Sequence, residues 1–295
     1  MSLWVLAVLT MAAPPSPDNP VFRDLVETGL PADAQGAQRL QLALPTMADG
    51  LDAKAQRERI EQVAGPKRRV DDLLRNTVVA PFVLKIEDAS SAGGDPFRRV
   101  NVWYVAYGPL EKFFEESFFE ELLHLAPSEK KSRLPLASAM LTEEELRERK
   151  IALDREAGRN ERYYFSTVGL FDRVLLSATR RVVVTRQAES VLVAAVIDAR
   201  FTSDPKYPNA WKSITTDESG RFTQGPAQPY VASGVYTKIT RLHEPAEALF
   251  VEHHQVFAEP QGWFEGKNLL RAKLPLAIQE GVRKLRRELR AARTE

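Results

Sequence analysis

The stretch SVLVAAVIDARF, Ser190 to Phe201, constrains this chain more than any other. Successive side chains of a strand point to opposite faces, and here both sets are apolar. Val191, Val193, Ala195 and Ile197 alternate with Leu192, Ala194 and Val196. Such a strand must be covered on both sides. Its neighbours also read as strands, at roughly Glu161 to Phe171, Arg173 to Arg186, Trp211 to Thr215, Gly234 to Leu242 and Ala248 to Ala258, with HEPAE as the last hairpin turn. The second half is therefore expected to form an antiparallel sheet, and an antiparallel sheet of this kind is usually covered by helices on one face.

The first half supplies helices and a hairpin. Asn19 before Pro20 predicts a cap with proline at the first helical position, and Gly29 a stop, giving a short peripheral helix. RLQLAL alternates strictly, with Leu40, Leu42 and Leu44 on one face, and predicts a strand. Asp52 caps a helix that stops at Gly65 and Pro66. The runs Thr77 to Glu87 and Arg98 to Gly108 flank the loop DASSAGGDP as a hairpin. Leu110, Phe114, Phe118, Leu122 and Leu125 recur at helical spacing and predict a core-facing helix. Thr142 and Glu145 have capping-box spacing and open an exposed helix running to Gly158.

The closing stretch, LPLAIQEGVRKLRRELRAAR, is amphipathic. Leu270, Leu274, Ile278, Val282, Leu285 and Leu289 form its buried stripe, with Gly281 beside them permitting close approach of the sheet. Pro275 either starts the regular helix or kinks it. Between Arg271 and Arg293 there are eight Lys or Arg against two Glu, in a chain whose net charge is only +1. Arg283, Lys284, Arg286, Arg287 and Arg290 therefore make a basic surface on an otherwise slightly acidic protein. Cations in the last turns complement the helix dipole, which is one account of them; an anionic membrane or acidic partner is the other. The near-neutral total argues against nucleic acid.

Chemistry is sparse. Zero cysteines exclude thiolate metal sites, a cysteine nucleophile and a disulfide framework. There is no phosphate loop, no G-x-G-x-x-G and no G-x-S-x-G. Glu121 and His124 have the Glu-x-x-His spacing of di-iron proteins, but the second copy those sites need is missing. His253 and His254 are consecutive on a strand, so they face opposite ways and cannot share a metal. No metal and no cofactor is expected. At the amino terminus the apolar run from Leu3 to Ala13 is shorter than the roughly 20 residues needed to span a bilayer, and reads as a signal peptide cut after Ala12, although no Lys or Arg precedes it. The expected organisation is a signal peptide over 1–13, a proline-rich linker and short helix over 14–37, and one α+β domain over 38–295. The expected location is periplasmic or secreted.

This order of elements, three strands, two helices, five or six antiparallel strands and a long final helix, resembles the START-like or helix-grip superfamily. The likeness runs over roughly residues 38 to 293 and includes the passage EPQGWFEGKNLL from the last hairpin into the closing helix. The helix at 51–65 is not part of the simplest pattern. The resemblance implies a curved sheet wrapped around the C-terminal helix, an apolar cavity between them, and a non-enzymatic binder of a lipid or other apolar small molecule. Candidate cavity residues are Tyr236, His254, Trp211, Trp263 and Tyr164; each is also at home in a packed core. The alternatives are a structural or interaction protein with a filled core, or an enzyme built on the same fold.

Overall fold

In the computed structural model the strand with two apolar faces lies within a broad sheet. The structure describes residues 18–31, 38–66, 68–90, 96–115, 118, 136–154, 159–216, 221–230, 232–260, 263–264 and 269–293. A two-residue ladder joins β1 (Leu30–Pro31) to β2 (Arg39–Leu40). The other strands are β3 (Val83–Ser90), β4 (Pro96–Tyr107), β5 (Ala137–Met140), β6 (Arg159–Leu170), β7 (Val174–Arg186), β8 (Ser190–Ile197), β9 (Ala210–Thr216), β10 (Phe222–Gln224), β11 (Gln228–Pro229), β12 (Ser233–Arg241) and β13 (Ala248–Ala258). They form one antiparallel sheet in the order β10-β9-β7-β8-β12-β13-β4-β3, with β6 and then β5 beyond β7, and β11 on β9. The outermost strands, β3 and β5, do not pair with each other, so the sheet is open.

β8 sits between β7 and β12, which explains its lack of a polar side. Helix α1 (Pro20–Arg23), continued by a wider turn over Asp24–Thr28, covers the convex face. The Asn19 side chain accepts from Phe22 N at 3.0 Å and donates to Val183 O at 2.9 Å, tying the cap to β7. This helix was expected to be peripheral; instead Val21, Phe22 and Leu25 are buried, and Phe22 packs edge-on against Tyr236. Gly234 makes the contact possible, because an added Cβ would come within 2.4 Å of Leu25. Helices α2 (Ala53–Ala64) and α3 (Val70–Leu73) belong to a second cluster, with Ile60 and Leu73 against Trp103, Val105 and Phe250.

Other departures have local causes. Of the expected strand at 39–44, only Arg39 and Leu40 pair; Leu42 turns into the core and Leu44 faces solvent. The hairpin strand begins at Val83 rather than Thr77, because Ala80 N closes a turn on Thr77 O and Pro81 has no N–H to offer a ladder. Helix α4 (Glu143–Glu148) has the expected capping box but ends at Arg149, since Lys150 takes φ 57° and Ile151 folds back beside Leu146 in the core. Leu110–Phe114 is a single 3₁₀ turn with Leu110 and Phe113 buried; the rest of that predicted helix, including Glu121 and His124, lies outside the described residues apart from the buried Phe118. β5, β10 and β11 are short strands that the periodicity did not signal.

Helix α5 (Leu269–Ala291) lies across the concave face, with Pro275 inside it. Val282, Leu285 and Leu289 are buried, each contributing about 1.5 to 3 kcal/mol. The front half is looser: Leu274 and Ile278 are half-buried and Leu276 is exposed.

Candidate functional site: the space beneath the last helix

Strand register decides what faces α5. Val182, Ala195 and Val235 are aligned across β7, β8 and β12, and form one row. Val193, Thr237, His253 and Val102 form the next, and Ile239, Val251 and Tyr104 a third. Ala277, Ile278, Gly281, Val282 and Leu285 of α5 face these rows, and Phe113 adds a corner. Between them is a partly open cavity of about 420 Å³, within the usual range of ligand pockets. Among the described residues its lining is aliphatic and aromatic except for Thr237, His253 and the Tyr104 hydroxyl.

The role expected of Gly281 is reversed. A Cβ at that position would meet nothing within 4 Å, so the glycine widens the cavity rather than admitting the sheet. Close approach occurs at Gly108, whose added Cβ would lie 3.0 Å from Leu289. Arg286 also departs from expectation, since it is buried rather than part of the basic surface. Its guanidinium donates to the carbonyls of Val105 at 2.9 Å, Ala80 at 2.5 Å, Pro81 at 3.2 Å and Val78 at 3.4 Å. The turn that displaced the start of β3 supplies three of those acceptors, so Arg286 fastens the rear of α5 to it. Lys284, Arg287 and Arg290 are exposed and Arg283 is half-buried.

His253 is the one member of the neighbouring histidine pair that lines the cavity, with Nδ1 2.8 Å from Thr237 Oγ1. Burial, with a smaller contribution from His254, lowers its pKa to about 4, so the imidazole is neutral at pH 7. A neutral imidazole and a hydroxyl can hydrogen-bond a ligand carbonyl or hydroxyl without the cost of burying a charge.

Tyr236 and His254, two of the candidate cavity residues, lie on the convex face. His254 Nδ1 meets Asn101 Oδ1 at 2.8 Å, its ring stacks on Tyr236 at 4.8 Å, and the Tyr236 hydroxyl donates to Ala43 O at 2.6 Å. Burial pushes the Tyr236 phenol well up, so it stays protonated. Both side chains belong to a network that binds the segment around residues 43–49. Glu252 accepts from Thr46 N at 2.7 Å and Met47 N at 3.1 Å, while Lys238 donates to Met47 O at 2.7 Å and pairs with Asp49 at 3.0 Å. Trp263 stacks on Tyr230 and meets the edge of Trp211, outside the cavity lining. Tyr164 is on the concave side, opposite Arg180 and one row beyond Val182. Sequence reasoning missed His253 and Thr237, although their matching parity with Val235, Ile239 and Val251 was there to find.

A second depression of about 620 Å³ lies between α4 and the strands β5 to β7. It is more open, and Glu143, Arg159, Glu161, Arg162 and Arg186 make its wall charged. Arg159 pairs with Asp154 and Asp18, and Glu161 accepts from Arg181 at 2.6 Å, so these groups hold the surface together.

A scan against protein-family models and a search of curated proteins each found no match. Among solved structures the chain is similar to human STARD10, at 10% identity over 67% of this chain and 72% of that one, with a TM-score of 0.31. It is also similar to the human StarD13 (DLC2) lipid transfer and protein localization domain, at 9% identity over 68% of this chain and 88% of that one, with a TM-score of 0.34. With scores this low, the fold description rests on the protein's own strand order and helix placement. Those define an open, mostly antiparallel α+β sheet with a long C-terminal helix across one face and extra N-terminal helices on the other.

Proposed function

We propose that the protein binds a lipid or other apolar small molecule in the space between its sheet and α5. The observation that carries this reading is the apolar cavity of about 420 Å³, to which Thr237, His253 and a phenol are the only polar contributions among the described residues. A filled core would have closed that space, since interiors normally pack without voids larger than a water molecule. Native mass spectrometry before and after organic extraction tests the reading. A bound apolar molecule, or uptake of an added one, is the expected result; an empty protein that takes up none of a panel of lipids contradicts it.

The proposal extends to place and surface. The apolar run at 3–13 supports export as a signal peptide, so the mature chain from its native host should begin near Ala13. Intact Met1 on a cytosolic protein would overturn that part. Lys284, Arg287 and Arg290 support contact with an anionic membrane, at roughly 1 kcal/mol per basic residue near the surface. Reversing all three charges should release the protein from phosphatidylserine vesicles, and unchanged co-sedimentation would assign them to helix termination alone. Nucleic acid has no place in the proposal.

A further inference from the structure

Just beyond the cavity, the concave face carries a cation that has no counter-ion among the described residues. Arg180 precedes Val182 by two residues on β7, so both project to the same side, with their Cα atoms about 7 Å apart. Tyr164 on β6 and Ile197 on β8 are its cross-strand partners. The guanidinium donates one hydrogen bond, 2.8 Å to Ser166 Oγ, and has the phenols of Tyr164 and Tyr230 for electrostatic neighbours. Among the described residues no carboxylate pairs with it. Arg98, at the same end of the sheet, makes the contrast: it is held by both Asp88 and Glu259.

Burial lowers the pKa of Arg180, yet an arginine does not give up its proton at physiological pH. Arg180 is half-buried at the end of an apolar space and, among the described residues, its charge is not neutralised, an arrangement that an anionic group would complete. We propose that Arg180 anchors the acidic end of the ligand, which makes the ligand class an amphiphile with one apolar body and a carboxylate or phosphate head. Ser166 supplies a hydroxyl that turns to donate to a second oxygen once the guanidinium is engaged. The apolar body runs from Arg180 past Val182 and Ala195 toward Thr237 and His253. This inference rests on the cavity being a ligand site.

Calorimetric titration with dodecanoate, dodecyl phosphate and 1-dodecanol, all below their aggregation limits, tests it on the whole chain. Wild-type protein should bind at least one anion about tenfold or more tightly than the alcohol. The order of the two anions tells carboxylate from phosphate. Arg180→Met should erase that preference and leave alcohol binding unchanged. Arg180→Gln, which keeps a donor for Ser166 without the charge, should do the same, and thermal unfolding of both variants confirms that they fold. Equal binding of anions and alcohol by the wild type, or a preference that survives both substitutions, would overturn the anchor while leaving the cavity reading intact. Failure of all three probes on the wild type would remove both.

Discussion

On the convex face, Glu252 is fully buried and accepts two backbone N–H bonds, and its cross-strand neighbour Lys238 reaches Met47 O and Asp49. One residue along β13, His253 points the other way and meets Thr237 and a cavity of about 420 Å³. The same two strands thus build both surfaces. The convex side spends its polar groups on fixing the chain around residues 43–49, and the concave side leaves apolar wall uncovered. Under the proposed function, stability resides in the first arrangement and binding capacity in the second, and consecutive residues should respond differently to substitution.

The largest effect should come from the convex latch. Glu252→Ala strands the buried Met47 N–H and the part-buried Thr46 N–H, at a cost of about 3 to 5 kcal/mol in urea unfolding. A loss under 1 kcal/mol would break the distinction between the faces. Arg286→Met should cost about 3 kcal/mol by orphaning carbonyls of Val105 and Ala80, whereas exposed Arg287→Met should stay within about 0.5 kcal/mol. Equal costs would mean that α5 is not fastened at its rear.

His253 gives a pH-dependent version of the comparison. Its folded pKa, about 4, lies below the ordinary value of 6.5, so between these values the unfolded chain binds the extra proton. Its contribution is intact above pH 6.5 and falls as pH drops toward 4, by about 2 to 3 kcal/mol in total. His253→Leu should flatten that part of the stability profile; an unchanged slope would show that the imbalance lies elsewhere. A small effect of opposite sign is expected at Gly281, where alanine has room and should stabilise α5 by about 1 kcal/mol.

Much of the frame was legible beforehand because burial on one or both faces leaves a period-two record. β13 begins and ends where predicted, and β8 had to be central. The site was less legible. Consecutive histidines must diverge, but nothing in VEHHQ says which one meets a helix and which meets the amino-terminal segment. Tyr236 looked like a cavity residue because it is large and carries a polar tip, yet the tip is spent on Ala43 O. Arg286 is one arginine among several in a basic run; only the carbonyls of a turn some 200 residues away draw it inward. Likewise α1 has too few residues to announce a core role, and the space beside Gly234 that receives Leu25 is a property of the assembled sheet.

The most direct test of a binding space under α5 is a titration of 1-dodecanol into wild-type protein and Gly281→Phe. Phenylalanine at 281 enters the cavity where no atom lies within 4 Å of its Cβ. The account predicts saturable binding to the wild type and its loss in the variant, with the unfolding midpoint kept or raised. Saturable binding that survives Gly281→Phe unchanged would contradict it.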